Sequence, residues 1–151
     1  MATRSIIKVN YGQTNITLYR HWDGYLAEGG YNLACILKHK RSAESFIRQL
    51  IRQKRELSSH EIDTTLYEIV HCENIGEEFR YTFNFSFDGH LDMKAEKLEG
   101  WSESYWKTVF EGKGEVKEVA EDFLKICKED RSAIEERVKT RIQQGEMVSL
   151  Y

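Results

Sequence analysis

The feature that most constrains this fold is a run of aromatic residues at every second position: Phe79, Tyr81, Phe83, Phe85 and Phe87. Polar residues occupy the positions between them. Because successive side chains of a strand point to opposite faces, the run predicts a strand with one buried aromatic face and one face in water.

A reversal of the chain is predicted directly after this strand, at Asp88-Gly89. A three-residue loop over residues 88–90 would pair Phe87 with Leu91 and Phe85 with Met93, with Gly89 or His90 in the left-handed conformation. A second alternating segment, 67–71, is expected to pair with the aromatic strand from upstream through Tyr67, Ile69 and His71.

The N-terminal residues predict a β-hairpin. Placing Val9 opposite Ile16 also brings Ile7 opposite Leu18 and leaves Gly12-Gln13 as a two-residue loop. Glycine at the first loop position suits a type II′ turn, which needs a positive φ there.

Four helices are predicted in the remaining sequence. The first begins near Tyr31, the second is capped by Ser42, and the last two are separated by a capping box over residues 132–135. Residues 101–111 fit either a helix or a strand, and their β-rich composition favours a strand. Together these elements predict one α+β domain, residues 1–151, with a largely antiparallel sheet of about five or six strands and four helices packed on it.

Composition limits the classes of protein to which the chain can belong. No apolar run approaches the ~20 residues of a membrane span, and the N-terminus has no apolar signal segment. The three cysteines, Cys35, Cys72 and Cys127, are odd in number and widely spaced, which favours free thiols. We therefore expect a cytoplasmic protein that does not enter a membrane.

Charge is distributed unevenly along the chain. Residues 1–55 carry a net charge of +7 and residues 56–110 a net charge of −8, although the whole chain carries only −3. The basic third could attract an anionic ligand or partner. The alternative interpretation is that both segments form solvated faces of one domain.

The richest group of functional side chains follows the second strand of the predicted hairpin. It contains Arg20, His21, Trp22, Asp23 and Tyr25. Arginine can bind phosphate or carboxylate through two hydrogen bonds, and the aromatic rings can stack on a base. We predict a ligand-binding turn here. The alternative is structural: Asp23-Gly24 forms a turn and the aromatic rings close the edge of the core.

A basic stripe is predicted on the second helix. Arg48, Arg52 and Arg55 recur at three- and four-residue spacing, so they share one face. We include Arg48 and Arg52 in the predicted ligand site. The stripe could also contact nucleic-acid phosphates, a less favoured interpretation because the chain is acidic overall, or an acidic protein.

No group of residues in the sequence has the spacing of a known catalytic or metal-binding motif. The groups His60-Glu61-Asp63 and His71-Cys72-Glu73 match no known metal-ligand pattern, and no phosphate-binding loop or nucleophile elbow is present. We therefore predict no catalytic residue, no metal and no cofactor.

The segment ITLYRHWDGY, residues 16–25, resembles a group of small proteins of phages, prophages and bacteria that have no assigned function. The resemblance covers roughly residues 4–40 and, more weakly, 60–125. Leu26 stands where many of these relatives have proline. The resemblance implies a phage or prophage origin and, by analogy with other small phage proteins, inhibition of a host protein or of host defence signalling.

Three functions remain open at this point. The leading hypothesis is a non-enzymatic binding protein for a nucleotide-like anion or a host protein, which could form a homo-oligomer through an exposed sheet edge. The second is a small nucleotide- or phosphodiester-processing enzyme with His21 as acid or base, Arg20 as charge stabiliser and Asp23 as orienter. The third is a protein-interaction domain that uses the basic helix, residues 42–55.

Overall fold

A six-stranded sheet organises the computed structural model of the protein, which describes residues 3–54, 65–72, 76–100 and 102–145. The spatial order of the strands is β3-β2-β1-β4-β5-β6. Their bounds are β1 Ser5–Tyr11, β2 Thr14–Arg20, β3 Glu68–Val70, β4 Phe79–Phe85, β5 His90–Glu99 and β6 Tyr105–Glu115.

β1 lies inside the sheet and pairs antiparallel with β2 and parallel with β4. Ile7 therefore lies opposite Leu18 on one side and Tyr81 on the other. The α+β class and the number of strands are confirmed. The prediction of a largely antiparallel sheet is corrected to a mixed sheet, because the chain returns to the free edge of β1 only after two helices and β3.

The N-terminal hairpin has the predicted register. Val9 pairs with Ile16, Tyr11 pairs with Thr14, and Gly12 has a φ of +59°. A side chain at Gly12 would meet the ring of Phe87, whose Cζ lies 3.2 Å from the Cβ position. Turn chemistry and apolar alternation agree here, and each alone predicts the same pairing.

β4 buries its aromatic face as predicted, except at its end. Phe79, Tyr81, Phe83 and Phe85 are buried, whereas Phe87 is 82% exposed and lies in the turn.

The hairpin of β4 and β5 has a register that differs from the prediction. Phe85 pairs with Leu91 rather than Met93, a shift of two positions that keeps the faces matched. The shift arises because the Ser86 hydroxyl bonds Asp88 and the amide of His90, which closes the turn over residues 87–89. Gly89 has the predicted positive φ, +81°.

The segment before β4 pairs with a different strand from the one predicted. β3 pairs with β2, with Ile69 opposite Leu18, and not with the aromatic strand. Both edges of β4 are already occupied by β1 and β5, so the outer edge of β2 is the one that accepts β3. His71, which the predicted pairing placed beside the aromatic strand, is exposed, and so is Cys72.

The described residues contain three α-helices rather than four: α1 Tyr31–His39, α2 Ala43–Arg52 and α3 Val116–Gln143. α1 begins at Tyr31 as predicted, after a π-helical turn over Leu26–Gly30, and Ser42 caps α2. The last two predicted helices form one helix, because no glycine or proline interrupts residues 116–143.

The predicted strand within 101–111 is confirmed as the first part of β6, and Trp101 lies outside the described residues.

The core lies between the aromatic face of the sheet and the helices. The Phe46 ring of α2 packs 4.9 Å from the Phe83 ring, and the Phe123 ring of α3 contacts Tyr81 and Phe110. None of the described helices is long and apolar enough to cross a membrane.

The two edges of the sheet are poor surfaces for pairing with another chain. β3 is only three residues long, and Val109 in β6 is unpaired because a β-bulge interrupts its ladder with β5. Short and bulged edge strands hinder edge-to-edge association. A homo-oligomer formed through an edge remains a prediction that this geometry does not favour.

The middle and the last residue of the aromatic run provide a matched stability test. Phe83→Ala should lower the free energy of unfolding by about 3–5 kcal/mol, because Phe83 is fully buried against Phe46. Phe87→Ala should lower it by less than about 1 kcal/mol, because that ring is exposed. Urea unfolding of both variants measures the difference, and equal losses would contradict the observed end of β4.

Candidate functional site

The turn after β2 is held rigidly against the N-terminal strand. The amide of Gly24 donates to the carbonyl of Thr3 over 2.8 Å, and a Cβ on Gly24 would lie 2.7 Å from the Cβ of Ser5. Asp23 has a φ of +53°, a left-handed conformation that aspartate tolerates better than most residues. The sequence Asp23-Gly24 therefore forms a close-packed turn, as its composition indicates.

Arg20, the last residue of β2, lies at the centre of a buried polar network. Its side chain is only 6% exposed. Nε donates to the carbonyl of Trp22 over 2.6 Å, and Nη1 donates to the hydroxyl of Tyr67 over 2.9 Å and to Oδ1 of Asn32 over 3.5 Å. The Tyr67 hydroxyl itself donates to Asn32 over 2.6 Å. The network joins β2, the segment before β3 and α1.

The described groups that contact the charge of Arg20 are all neutral: three oxygens and the ring of Tyr67, whose centre lies 5.4 Å from the guanidinium carbon. None of the described carboxylates forms an ion pair with it, and none of the described atoms accepts a hydrogen bond from Nη2. A buried charge without a counter-ion is expensive, since its hydration is lost without an opposite charge to replace it. The geometry thus provides a cationic group that an added anion would neutralise.

A cleft of about 580 Å³ opens beside Arg20. The described residues that line it are Arg20, Trp22, Asp23, Glu28, Tyr31, Asn32, Cys35, Lys54, Leu66 and Arg131. Three of these side chains are cationic, two are anionic and two are aromatic, so the cleft offers both charge and flat rings to a ligand.

Arg131 connects the cleft to the long helix α3. Its guanidinium stacks 4.0 Å from the centre of the Tyr31 ring and donates to the carbonyl of Ala27 over 2.9 Å. Nη2 also lies 3.5 Å from Oε1 of Glu28, an ion pair that is partly exposed. These contacts fix the π-helical turn, Leu26–Gly30, as one wall of the cleft.

Three of the predicted ligand residues line the cleft together: Arg20, Trp22 and Asp23. His21 and Tyr25 do not. Nδ1 of His21 lies 2.7 Å from the hydroxyl of Tyr19, and the half-buried Tyr25 packs against the core. The His21 ring is nevertheless close to the cleft, because it meets the ring of Trp22 edge to face with the ring centroids 4.5 Å apart.

Arg48 and Arg52 lie on the exposed face of α2 and are not among the described lining residues of the cleft. Arg48 instead lies 4.0 Å from the carboxylate of Glu44, one helical turn away. Arg55, the third residue of the predicted basic stripe, lies outside the described residues. The structure therefore does not place Arg48 or Arg52 in the lining of the cleft.

Most of the cleft could not be inferred from sequence. Residues from the π-helical turn, from α1, from the segments after α2 and before β3, and from α3 line it, and none carries a local motif: Glu28, Tyr31, Asn32, Cys35, Lys54, Leu66 and Arg131. The one available signal was Gly29-Gly30, since a Cβ on Gly29 would lie 2.9 Å from the carbonyl oxygen of Asp23. This close approach is what packs the wall of the cleft onto the turn.

The described residues contain no group of three or more histidine, cysteine, aspartate or glutamate side chains arranged to hold a metal ion. His60, Glu61, Asp63 and Glu73, from the sequence groups considered above, lie outside the described residues.

Comparison of the chain with protein families, with curated proteins and with solved structures finds no match. The resemblance to small phage proteins, the phage origin and the inhibition of host defence that it implies therefore stay predictions.

Burial raises the pKa of the Tyr67 phenol above its ordinary value of 10.0, although the nearby Arg20 acts in the opposite direction. Burial also raises the pKa of Tyr81, whose hydroxyl donates to the carbonyl of Gly24 over 2.7 Å. Both phenols are thus held in the neutral form, in which they donate the hydrogen bonds that fix the turn and the network.

Removing the Tyr67 hydroxyl tests the network directly. Tyr67→Phe should lower the free energy of unfolding by about 1–3 kcal/mol, because Asn32 and Arg20 each lose a buried partner. Tyr105→Phe is the control, since the Tyr105 hydroxyl bonds Glu99 on the exposed surface and its loss should cost less than about 0.5 kcal/mol. Similar losses in urea unfolding would contradict a structural role for the network.

The same phenols predict a loss of stability in alkali. Their folded-state pKa values lie above the unfolded value of 10.0, so their contribution is fully present below pH 10.0 and is lost as the pH rises above it. Urea unfolding between about pH 8 and about pH 11 should show this decline, with a smaller slope in Tyr67→Phe. An unchanged slope in that variant would show that Tyr67 titrates equally in both states.

Proposed function

We propose that the protein binds an anionic, nucleotide-like small molecule in the cleft and releases it unchanged. The observation that carries this proposal is Arg20, a buried guanidinium without a carboxylate partner among the described residues, in the lining of an open cleft. A phosphate or carboxylate group placed there would supply the missing opposite charge.

The aromatic residues of the cleft support a ligand that also contains a flat ring. Trp22 lies two residues after Arg20 in the sequence. It lines the cleft and is 38% exposed. An exposed indole beside a cationic group suits a ligand with a base and a phosphate, because stacking on the indole removes apolar surface of both from water.

Binding is favoured over catalysis by the position of His21. The enzyme hypothesis needs this imidazole as acid or base. His21 is not among the described lining residues: its ring packs edge to face against Trp22, and its Nδ1 lies at hydrogen-bond distance from the Tyr19 hydroxyl. A general acid or base must reach the proton that it transfers. Turnover of a nucleotide, lost in His21→Ala with binding retained, would favour the enzyme instead.

Native mass spectrometry of protein freshly purified from cells tests ligand capture. We expect a bound mass that is lost on denaturation and that contains a phosphate or carboxylate group. If no small molecule is retained, titration calorimetry with the nucleoside monophosphates measures weaker binding. An absence of binding in both measurements would overturn the proposal and favour a protein partner on α2, whose binding should weaken with salt.

The cleft variant Trp22→Ala should weaken nucleotide binding roughly tenfold, because stacking on an aromatic ring contributes about 1–3 kcal/mol per base. Arg48→Ala is the matched control, since Arg48 is exposed on α2 away from the cleft lining. Arg20→Ala is a poorer test because it also removes the buried network. Equal weakening by Trp22→Ala and Arg48→Ala would contradict the assignment of the cleft.

A further inference from the structure

A second concave surface, of about 310 Å³, shares none of its described lining residues with the cleft. One part of its lining is the tip of the hairpin of β4 and β5, residues 85–87 and 89, together with Tyr11 of β1. The other part is residues 41–44, where α2 begins. We call this surface the Phe87 groove.

Phe87 is the most exposed of the large apolar side chains in the described part of the chain. Its ring is nevertheless held in position. The ring centre lies 5.1 Å from the centre of the Tyr11 ring, and a Cβ on Gly12 would come within 3.2 Å of its Cζ. A ring that is already fixed loses little conformational entropy when a partner covers it, and covering it removes apolar surface from water.

The part of the lining where α2 begins is cationic. Residues 38–44 contain three lysine or arginine side chains and one carboxylate. Arg41 lines the groove: its Nε donates to the carbonyl of Lys38 over 3.0 Å, and neither Nη atom has an acceptor among the described residues. The carboxylate, that of Glu44, lies 4.0 Å from the guanidinium of Arg48. The groove therefore offers an arginine fork to an added carboxylate.

Two carboxylates limit what can lie along the groove. Glu44 lines it, and Asp88 stands between two lining residues, Phe87 and Gly89. The hydrogen bond from Ser86 lowers the pKa of Asp88, which keeps this carboxylate ionised. A phosphate backbone carries negative charge along its whole length and would be repelled by both carboxylates, whereas a protein segment can place a carboxylate at one position and an apolar side chain at another. Aromatic residues and arginine are also enriched in protein interfaces.

We propose that the Phe87 groove binds an acidic segment of another protein, in which a carboxylate pairs with Arg41 and an aromatic or large aliphatic side chain packs on Phe87. The inference is independent of the function proposed for the cleft, because the two surfaces share no described lining residue.

Chemical-shift mapping by NMR with a defined probe tests this proposal. The probe is a synthetic peptide of glutamate and glycine with one central phenylalanine, added to the isotope-labelled full chain. We expect saturable shifts of the backbone amides of Ala43 and Gly89, which line the groove, and none at Asn32, which lines the cleft. A peptide with serine in place of the phenylalanine should bind at least roughly tenfold more weakly. Absence of saturable shifts at the groove, or equal binding of the two peptides, would overturn the proposal.

Two variants locate the contact. Phe87→Ser and Arg41→Glu should each weaken binding of the phenylalanine peptide at least roughly tenfold, the first by removing the ring and the second by reversing the charge. Tyr105→Ser and Arg137→Glu are the matched controls, because both residues are exposed outside the described lining, and each should change the affinity by less than about twofold. The spectrum of each variant shows whether it is folded. Equal weakening by a variant and its control would contradict the assignment of the groove.

Two other occupants of the groove would give different results. Tighter binding of a single-stranded oligothymidine than of the phenylalanine peptide, with shifts of the same amides, would identify a nucleic-acid site. Shifts of these amides on raising the protein concentration alone, lost in Phe87→Ser, would show that a second copy of the chain covers the groove. Either result would overturn the proposal.

Discussion

The buried guanidinium of Arg20 is the interaction on which the surrounding structure depends. It connects the end of β2 with the carbonyl of Trp22, with Asn32 of α1 and with Tyr67 before β3. Loss of hydration would cost several kcal/mol if these oxygens were not in place. The turn, the helix and the segment before the edge strand are consequently held in one arrangement, and the cleft lies beside this network.

Local features of the fold were predictable from sequence because local chemistry determines them. The hairpin register follows from Gly12 together with the alternation of Ile7 and Val9, and Ser42 marks the start of α2. The strand that pairs with the other edge of β1 could not be predicted in the same way. Its pairing with β4 depends on which strand edges remain open once β2, β5 and the helices have been placed.

The candidate site likewise contains residues that the local sequence identifies and residues that only long-range packing brings in. Arg20, Trp22 and Asp23 were identified because they are adjacent in sequence and rich in functional groups. Glu28, Lys54 and Arg131 reach the cleft through packing of distant elements, and each is an ordinary surface charge when read in its own segment. His21 contacts the Tyr19 hydroxyl and the Trp22 ring and is not among the described lining residues, an arrangement that a list of residue types does not contain.

The parallel pairing of β1 with β4 also affects the order in which the chain folds. Ser5 lies opposite Phe79, so this contact closes a long loop that includes α1 and α2. The hairpin of β1 and β2 can form as soon as its residues leave the ribosome, whereas the other edge of β1 stays unpaired until β4 has been synthesised. A nascent or truncated chain that ends before residue 79 therefore exposes a seven-residue strand edge containing Ile7 and Val9, a template for aggregation that the complete protein hides inside its sheet.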